Sequence, residues 1–371
     1  MSTDSRFTHK NGLNILTRRR VFWLINSFLF ILFSVLLIFT IGFFKDFQRI
    51  PSEHLIGNKT SNIKLLKEKG LPFSFLVISD THNSNQGEAL LKAALKKGDA
   101  SFLIHVGDFV NDPDLWNHRF FLTNMIEDIK PSLPVFLVPG NHDIDYNSTG
   151  KKRNGRRVTP EIYESLYGSR NFDFIFNNCL FIICEVDLRN PEAYLNYLQD
   201  ILSKKGKEKK HIFVFRHYPL KGLVDYMGSS LPYEEKFFSL VESYKVTTCF
   251  FGHYHGYRRG QTARVNMIVL GGGGGRLKSW QSEWGKFHHL LKINVNESII
   301  IEDMMILHGE VSNFSRTFKK WIFIHLFPII ENRRWLLYFG VILFLSWSTY
   351  SVICLVNSFK KGRMGAPLSM S

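Results

Sequence analysis

The sequence predicts an α/β domain held between two membrane-spanning helices. Three observations carry this. Short apolar runs alternate with helical periodicity between residues 73 and 138. Most of these runs stop at a cluster of Asp, His or Asn. Two long uncharged segments, 21–44 and 335–356, bracket the chain.

Taken in order, residues 1–20 form a basic tail, with Arg6, Lys10, Arg18, Arg19 and Arg20 against Asp4. Residues 21–44 are 24 positions without a charged side chain. As a helix they reach about 36 Å, against a hydrocarbon core of roughly 30 Å. A cleaved signal peptide fits less well, because the run is long and no small-x-small site follows it. The second run, 335–356, is 22 residues long and also apolar on every face. A linker is expected at 45–71. A further linker at 304–334 contains WIFIHLFPII (321–330), which is too short to span. It reads as an interfacial or re-entrant segment, with Lys319, Lys320, Arg333 and Arg334 at the headgroup level, or as the last core element of the domain. Residues 357–371 are a second basic tail.

Two spans place both termini on one side. Five basic residues precede the first span and Lys45, Arg49 and Lys59 follow it, which puts the N-terminus inside. The second span carries the opposite bias. Because the first helix usually dominates, the expected arrangement has cytoplasmic termini and an extracytoplasmic or luminal catalytic domain.

Composition excludes several classes. Of 371 residues 45% are hydrophobic and only 4 are Cys, so neither a disordered chain nor a disulfide scaffold fits. The net charge of +15 suggests a partner with phosphates. The two tails carry +7 of it, so the middle is only moderately basic and nucleic acid is not an expected partner. Cys179 and Cys184 lie five apart on one strand and face opposite ways, so they cannot bridge each other. Asn58, Asn147, Asn296 and Asn313 begin N-x-S/T sequons that occur near chance frequency.

Within 72–303, strands are expected at 73–79, 101–106 and 135–138, with helices at 86–97 and 115–129 between them. This βαβ layout is that of a parallel sheet, whose reactive groups belong at the carboxyl ends of its strands. Asn83 or Ser84 is the expected N-cap of the first helix. Further strands are expected at 171–176, 180–187, 211–216, 246–251, 266–270, 287–295 and 298–302, with a helix at 191–204. A polar, basic loop is expected at 146–158.

The strand ends supply Asp80, His82, Asp108, Asn141, His142, His217, His253 and His255. All are oxygen or imidazole donors, a set that suits Mn, Fe or Zn, and the lack of thiolates argues against structural zinc. The ordered blocks D-x-H, G-D, G-N-H-D, H and G-H-x-H are far more specific together than any one alone.

On these five blocks, residues 72–303 resemble the calcineurin-like metallophosphoesterase superfamily. The resemblance implies a four-layer α/β/β/α sandwich of two mixed sheets. It also implies two divalent metal ions. Asp80, His82 and His255 would hold the first metal; Asn141, His217 and His253 the second; Asp108 would bridge them. His142 would sit by the leaving group as the catalytic residue rather than a ligand. Two cations suit phosphoryl transfer, which asks for positioning and charge neutralisation. A water held by them loses its proton near neutral pH and becomes the nucleophile for in-line attack.

The chain departs from the phosphoprotein phosphatases of that superfamily, which carry G-D-x-V-D-R-G. Here Asn111 and Asp112 replace the Asp that pairs with the catalytic histidine and the phosphate-binding Arg. A phosphodiesterase or phosphomonoesterase fits better than a Ser/Thr phosphatase. The expected activity is a membrane-anchored phosphoesterase acting on a diester or a lipid-linked phosphate. A catalytically silent scaffold of the same fold is the alternative, and it fits less well because no expected ligand is missing.

Other residues read as follows. His105, His288 and His289 are structural, the last two far from the blocks. Arg216 and Tyr218 are candidates to reach the substrate phosphate. Asp187 is a candidate support for the site. The 151–157 basic cluster is a solvated loop or an anion-binding surface. The five glycines 271–275 form either a plain loop or a close backbone approach to the site.

Overall fold

The computed structural model describes residues 21, 23–35, 37–38, 41–42, 54–68, 70–147, 157–220, 223–224, 234–262, 264–277 and 285–363. The expected tail 1–20, most of the 151–157 cluster and the end of the second tail lie outside the described residues. The chain divides into two compact units, Ile50–Pro328 and a second made of Met1–Arg49 with Ile329–Ser371.

The first unit holds eleven described strands: β1 Phe73–Ile78, β2 Leu103–His105, β3 Val135–Leu137, β4 Phe172–Phe176, β5 Cys179–Cys184, β6 His211–Arg216, β7 Thr248–Phe251, β8 Tyr257–Gln261, β9 Asn266–Leu270, β10 His288–Val295 and β11 Ile300–Leu307. One sheet has the order β11-β10-β1-β2-β3 and the other β4-β5-β6-β7-β9-β8. Both are mixed. β1 runs parallel to β2 and antiparallel to β10. In the second sheet β5, β6, β7 and β9 are parallel, with antiparallel strands at both edges.

Side-chain alternation explains how the sheets stack. On β1, Phe75 and Val77 enter the core between the sheets, while Leu76 and Ile78 face the helices outside. On β5, Phe181 and Ile183 point inward, and Leu180 and Ile182 point to the outer helical layer. Cys179 and Cys184 fall in different clusters, as the strand period requires, and both are free thiols. The inter-sheet core is largely Phe. The Phe75 ring centroid lies 5.3 Å from those of Phe102, Phe181 and Phe213. Each such buried ring contributes about 2 kcal/mol of burial and packing.

Helices cover the outer faces. Asn85–Lys97 presents Leu90, Leu91 and Ala94 to the first sheet, and Ser84 caps it by accepting from the Gly87 amide. Leu115–Thr123 is capped by Asp114 and widens into a π-type turn at Asn124–Ile129. Pro191–Lys205 and Glu234–Ser243 pack Leu195, Leu198, Phe237 and Val241 on the second sheet.

The domain extends past residue 303. β11 runs to Leu307, and a helix follows at Phe314–Trp321. Phe323 and Phe327 are buried, their rings 5.6 and 5.3 Å from Phe120 and Trp116. That is the packing of a core element.

In the second unit the helix Arg334–Arg363 is 30 residues long. Phe30 and Phe33 stack on Phe344 at 5.1 and 4.7 Å. The two spans expected at 21–44 and 335–356 are not shown. Counting only described residues, no helix is long and apolar enough to cross a membrane. Each run contains positions outside that description: 22, 36, 39–40 and 43–44 in the first, and side chains 336, 337 and 355 in the second.

Candidate metal centre

The parallel strands deliver their carboxyl ends to one place. Asp80 and His82 follow β1, Asp108 follows β2, Asn141 and His142 follow β3, His217 follows β6, and His253 and His255 follow β7. Two donor clusters result, Asp80–His82–His255 and Asp108–His217–His253, each with its ligand atoms within 4.8 Å of one another. His82 Nε2 lies 4.0 Å from Asp80 Oδ1 and 3.9 Å from Asp108 Oδ2, so the clusters adjoin.

The chain bends sharply to do this. Asp80, His82, Asp108 and His253 all hold left-handed backbone, with φ of 55°, 48°, 53° and 67°. Side chains rarely adopt that region, and such strain gathers at functional sites. Gly252 lets β7 reach Asp80, since a Cβ there would lie 2.1 Å from Ser79 Oγ and 2.6 Å from Asp80 Oδ2. The 271–275 glycines make the same kind of approach. A Cβ on Gly275 would lie 2.6 Å from His82 Cδ2.

Hydrogen bonds orient two of the imidazoles. His217 Nδ1 donates to Val106 O at 2.8 Å, and His255 Nδ1 donates to Arg276 O at 2.8 Å. A carbonyl only accepts, so each Nδ1 carries a hydrogen and Nε2 is the atom that faces the cluster, 3.2 Å from Asp108 Oδ2 for His217 and 3.2 Å from His82 Nε2 for His255. His217 Nε2 and Asn141 Oδ1 are buried with no hydrogen-bond partner. Buried polar atoms are rarely left so, and two orphaned donors at a carboxylate–imidazole cluster fit a divalent cation.

The electrostatics agree. Burial would lower the His217 imidazolium, but the Asp108 carboxylate beside it outweighs burial and raises it to about 10. Burial would raise the Asp108 carboxyl, and the His217 charge holds it well below the usual range. Burial lowers His82 and His253 to about 4, with the His217 charge adding to the effect on His253. The cluster therefore carries carboxylates with neutral His82 and His253, while His217 holds a proton that a bound cation would displace.

His142 stands beside both clusters without joining either. Its backbone amide donates to Asp108 Oδ1 at 2.8 Å, and its Nδ1 donates to Asn111 O at 2.5 Å. The Asn111 main chain thus holds the ring where a carboxylate would be expected from the phosphoprotein phosphatases.

Three sequence readings are corrected. Arg216 does not reach the site. It is fully buried on the outer face of β6, its guanidinium 4.2 Å from the Phe237 ring centroid and 5.3 Å from that of Phe251. Asp187 instead pairs with Arg189 at 2.8 Å. His288 and His289 are not remote, because His288 Nδ1 and the His289 amide both donate to Gly272 O within the glycine run. Tyr218 does lie at the site, its ring 4.7 Å from that of His253. His105 is buried and bonds Thr81 Oγ1 at 2.9 Å.

Two residues carry more than the sequence suggests. Asp143 closes the G-N-H-D block and accepts from the amides of Asp108, Phe109, Val110 and Gly140. Its place in the block is the only signal. Lys320, from the helix Phe314–Trp321, donates to Asn111 Oδ1 at 2.8 Å, Asn83 O at 2.9 Å and His82 O at 3.3 Å. The sequence reading sets it at the headgroup level, whereas these three acceptors turn it toward the metal centre.

Comparison with known proteins places this geometry. The purple acid phosphatase PPD1 from yellow lupin (Lupinus luteus) seeds has the same fold, with TM-score 0.51 and 16% identity over 66% of this chain and 53% of that one. This chain thus spans about half the length of that phosphatase. A dimetal phosphatase from Danio rerio aligns with TM-score 0.47 and 14% identity, over 62% of this chain and 95% of that one. No curated protein matches the sequence. Residues 73–257 match the calcineurin-like phosphoesterase family. On that match, which encloses the two donor clusters, the chain belongs to the calcineurin-like phosphoesterase family.

Proposed function

We propose that this protein is a membrane-anchored phosphoesterase that hydrolyses a phosphodiester or a lipid-linked phosphate. The observation that carries the chemistry is the pair of adjoining donor clusters with Asn141 Oδ1 orphaned beside them. Asp80, His82 and His255 would hold one divalent cation, Asn141, His217 and His253 a second, and Asp108 both. Two such cations, Mn, Fe or Zn, supply charge neutralisation for the phosphoryl oxygens and lower the pKa of an attacking water.

The chain's own groups do the rest. Asp108, between the clusters, sets their separation. His142 has its Nδ1–H committed to Asn111 O, so Nε2 is the atom that exchanges a proton. As the ester P–O bond breaks, the departing oxygen takes that proton from Nε2. Tyr218, its ring tilted against that of His253 at 4.7 Å, walls the site on one side.

Two features support a membrane setting. In the second unit Leu24, Phe28, Ile31, Ile38, Trp335 and Ile342 are exposed, more apolar surface than water tolerates. On the catalytic unit, Phe314, Phe318 and Trp321 form an exposed, stacked aromatic stripe along one helix face. On this reading 21–44 and 335–356 are the spans, with cytoplasmic termini and the domain on the far side.

The test uses full-length protein, stripped of metal and refilled with Mn²⁺, on p-nitrophenyl phosphate and bis(p-nitrophenyl) phosphate. Faster turnover of the diester is expected. Preference for the monoester overturns the diester reading. Two metals bound with no turnover of either compound favours a scaffold.

A further inference from the structure

We propose that Lys320 is a positioning residue for His142, acting through Asn111. Lys320 lies outside the matched family region, which ends at residue 257. It reaches the metal centre from the helix Phe314–Trp321, which the buried ion pair of Arg316 with Glu88 holds against the domain. All three of its N–H donors are used. One goes to Asn111 Oδ1 at 2.8 Å, and two go to the Asn83 and His82 carbonyls at 2.9 and 3.3 Å.

These acceptors belong to two loops. His82 and Asn83 follow β1, and Asn111 follows β2. One ammonium therefore stitches the loop bearing His82 to the loop whose Asn111 carbonyl accepts from His142 Nδ1 at 2.5 Å. That carbonyl decides both the ring orientation of His142 and which nitrogen keeps its hydrogen. With its side chain clamped by Lys320, Asn111 cannot rotate its peptide away. Lys320 is saturated by protein acceptors, so it braces the site and does not itself bind the phosphate. In the phosphoprotein phosphatases a carboxylate partners the corresponding histidine. Here Asn111 occupies that position, and the clamp supplies rigidity to a weaker, neutral acceptor.

The inference rests on His142 as the proton donor of the proposed reaction, and the experiment separates the two. Full-length Mn²⁺-loaded protein is assayed on both p-nitrophenyl esters as Lys320→Met, Asn111→Ala, His142→Ala and the Lys320→Met/His142→Ala double variant. Lys320→Met is expected to lower kcat about tenfold, with KM and metal content unchanged and partial recovery in Lys320→Arg. Asn111→Ala, at a half-buried site that tolerates truncation, cuts the same link from the other end and reproduces the loss. In the His142→Ala background Lys320→Met adds nothing further. Losses that multiply, or a fall in metal content that matches the fall in kcat, overturn the inference. Unchanged turnover in His142→Ala overturns the proton-donor role instead. ¹⁵N-histidine spectra of the metal-free protein then decide the clamp alone. The Nδ1-protonated form of His142 is expected in the wild type and loses its dominance in Lys320→Met, and an unchanged spectrum sinks the clamp.

Discussion

The carboxylate of Asp143 accepts from the backbone amide of Asp108 at 2.7 Å, although the two residues sit on loops after different strands. The same carboxylate accepts from Gly140 N at 2.8 Å and Phe109 N at 3.0 Å. One fully buried side chain thus fastens the loop of the proposed bridging ligand to the loop of Asn141. Asp143→Asn keeps the shape but turns an N–H toward amides that need an acceptor. Breaking such a buried network costs on the order of 2–4 kcal/mol. Because the loops also aim ligands, metal affinity should fall about 10–100-fold. Urea unfolding of the metal-free protein and metal titration of the loaded one check the two effects separately. A variant of wild-type stability and affinity removes Asp143 from this role.

Gly252→Ala should damage the site through sterics alone. The new Cβ would stand 2.1 Å from Ser79 Oγ and 2.6 Å from Asp80 Oδ2. Ser79 Oγ donates to Asp80 Oδ2 at 2.6 Å, so the clash displaces a proposed ligand along with its support. The strain is about 1–3 kcal/mol, and loss of the first metal should exceed loss of the second. Gly340→Ala is the control, since nothing lies within 4 Å of its Cβ. Metal content per chain, measured on both variants, decides it. Two tightly held metals in Gly252→Ala would mean that the loop yields without moving Asp80.

Much of this is legible in the sequence. The period of two on β1, with Phe75 in and Leu76 out, follows from a continuous apolar run at strand length. The donor residues stand where parallel strands end, so the sequence blocks and the spatial clusters coincide. β8 escapes because YRRGQ offers one large apolar residue, and its edge position asks for no more. Pro160–Tyr167 and Glu234–Ser243 escape because each is short and flanked by polar chain. Arg216 could have been placed correctly. It shares parity with Ile212 and Val214, which face the outer helices, while His217 beyond the strand turns into the site. Lys320 has no local signal, because its role depends on where a distant helix docks.

Acid should loosen the fold through His118. Its Nε2 donates to Asp143 O at 2.9 Å, and Nδ1 accepts from Tyr167 OH at 2.9 Å. Both nitrogens are used by a neutral ring, and burial lowers its pKa to about 3. The unfolded chain takes up this proton below about pH 6.5, while the folded protein takes it up only near 3. Stability from this group is therefore complete above the unfolded value and falls as pH drops between the two. One proton contributes a slope of about 1.4 kcal/mol per pH unit. His118→Asn should flatten the stability–pH curve between pH 6 and 4 by up to that amount. Denaturant midpoints measured at half-unit pH steps test it, and parallel curves for the two proteins would discard His118 as the source.

The ion pair of Arg316 with Glu88 separates packing from charge. Both side chains are buried, and Arg316 also donates to Asn83 O at 3.1 Å and Asn85 Oδ1 at 2.9 Å. Burial would raise the Glu88 carboxyl, but hydrogen bonds from Lys92 and Asn124 with the Arg316 charge hold it below its usual value. Arg316→Ala strands that carboxylate with only Lys92 and Asn124, at about 3–5 kcal/mol. Adding Glu88→Leu to Arg316→Met should recover most of this, because apolar residues of similar volume replace a desolvated pair at little net cost. The comparison is made by urea unfolding with metal present. Because this pair seats the helix bearing Lys320, Arg316→Ala should also lower kcat, and the double variant should restore kcat with stability. A double variant that regains stability but not turnover would show that the Asn83 and Asn85 contacts, not the seating of the helix, keep the site in order.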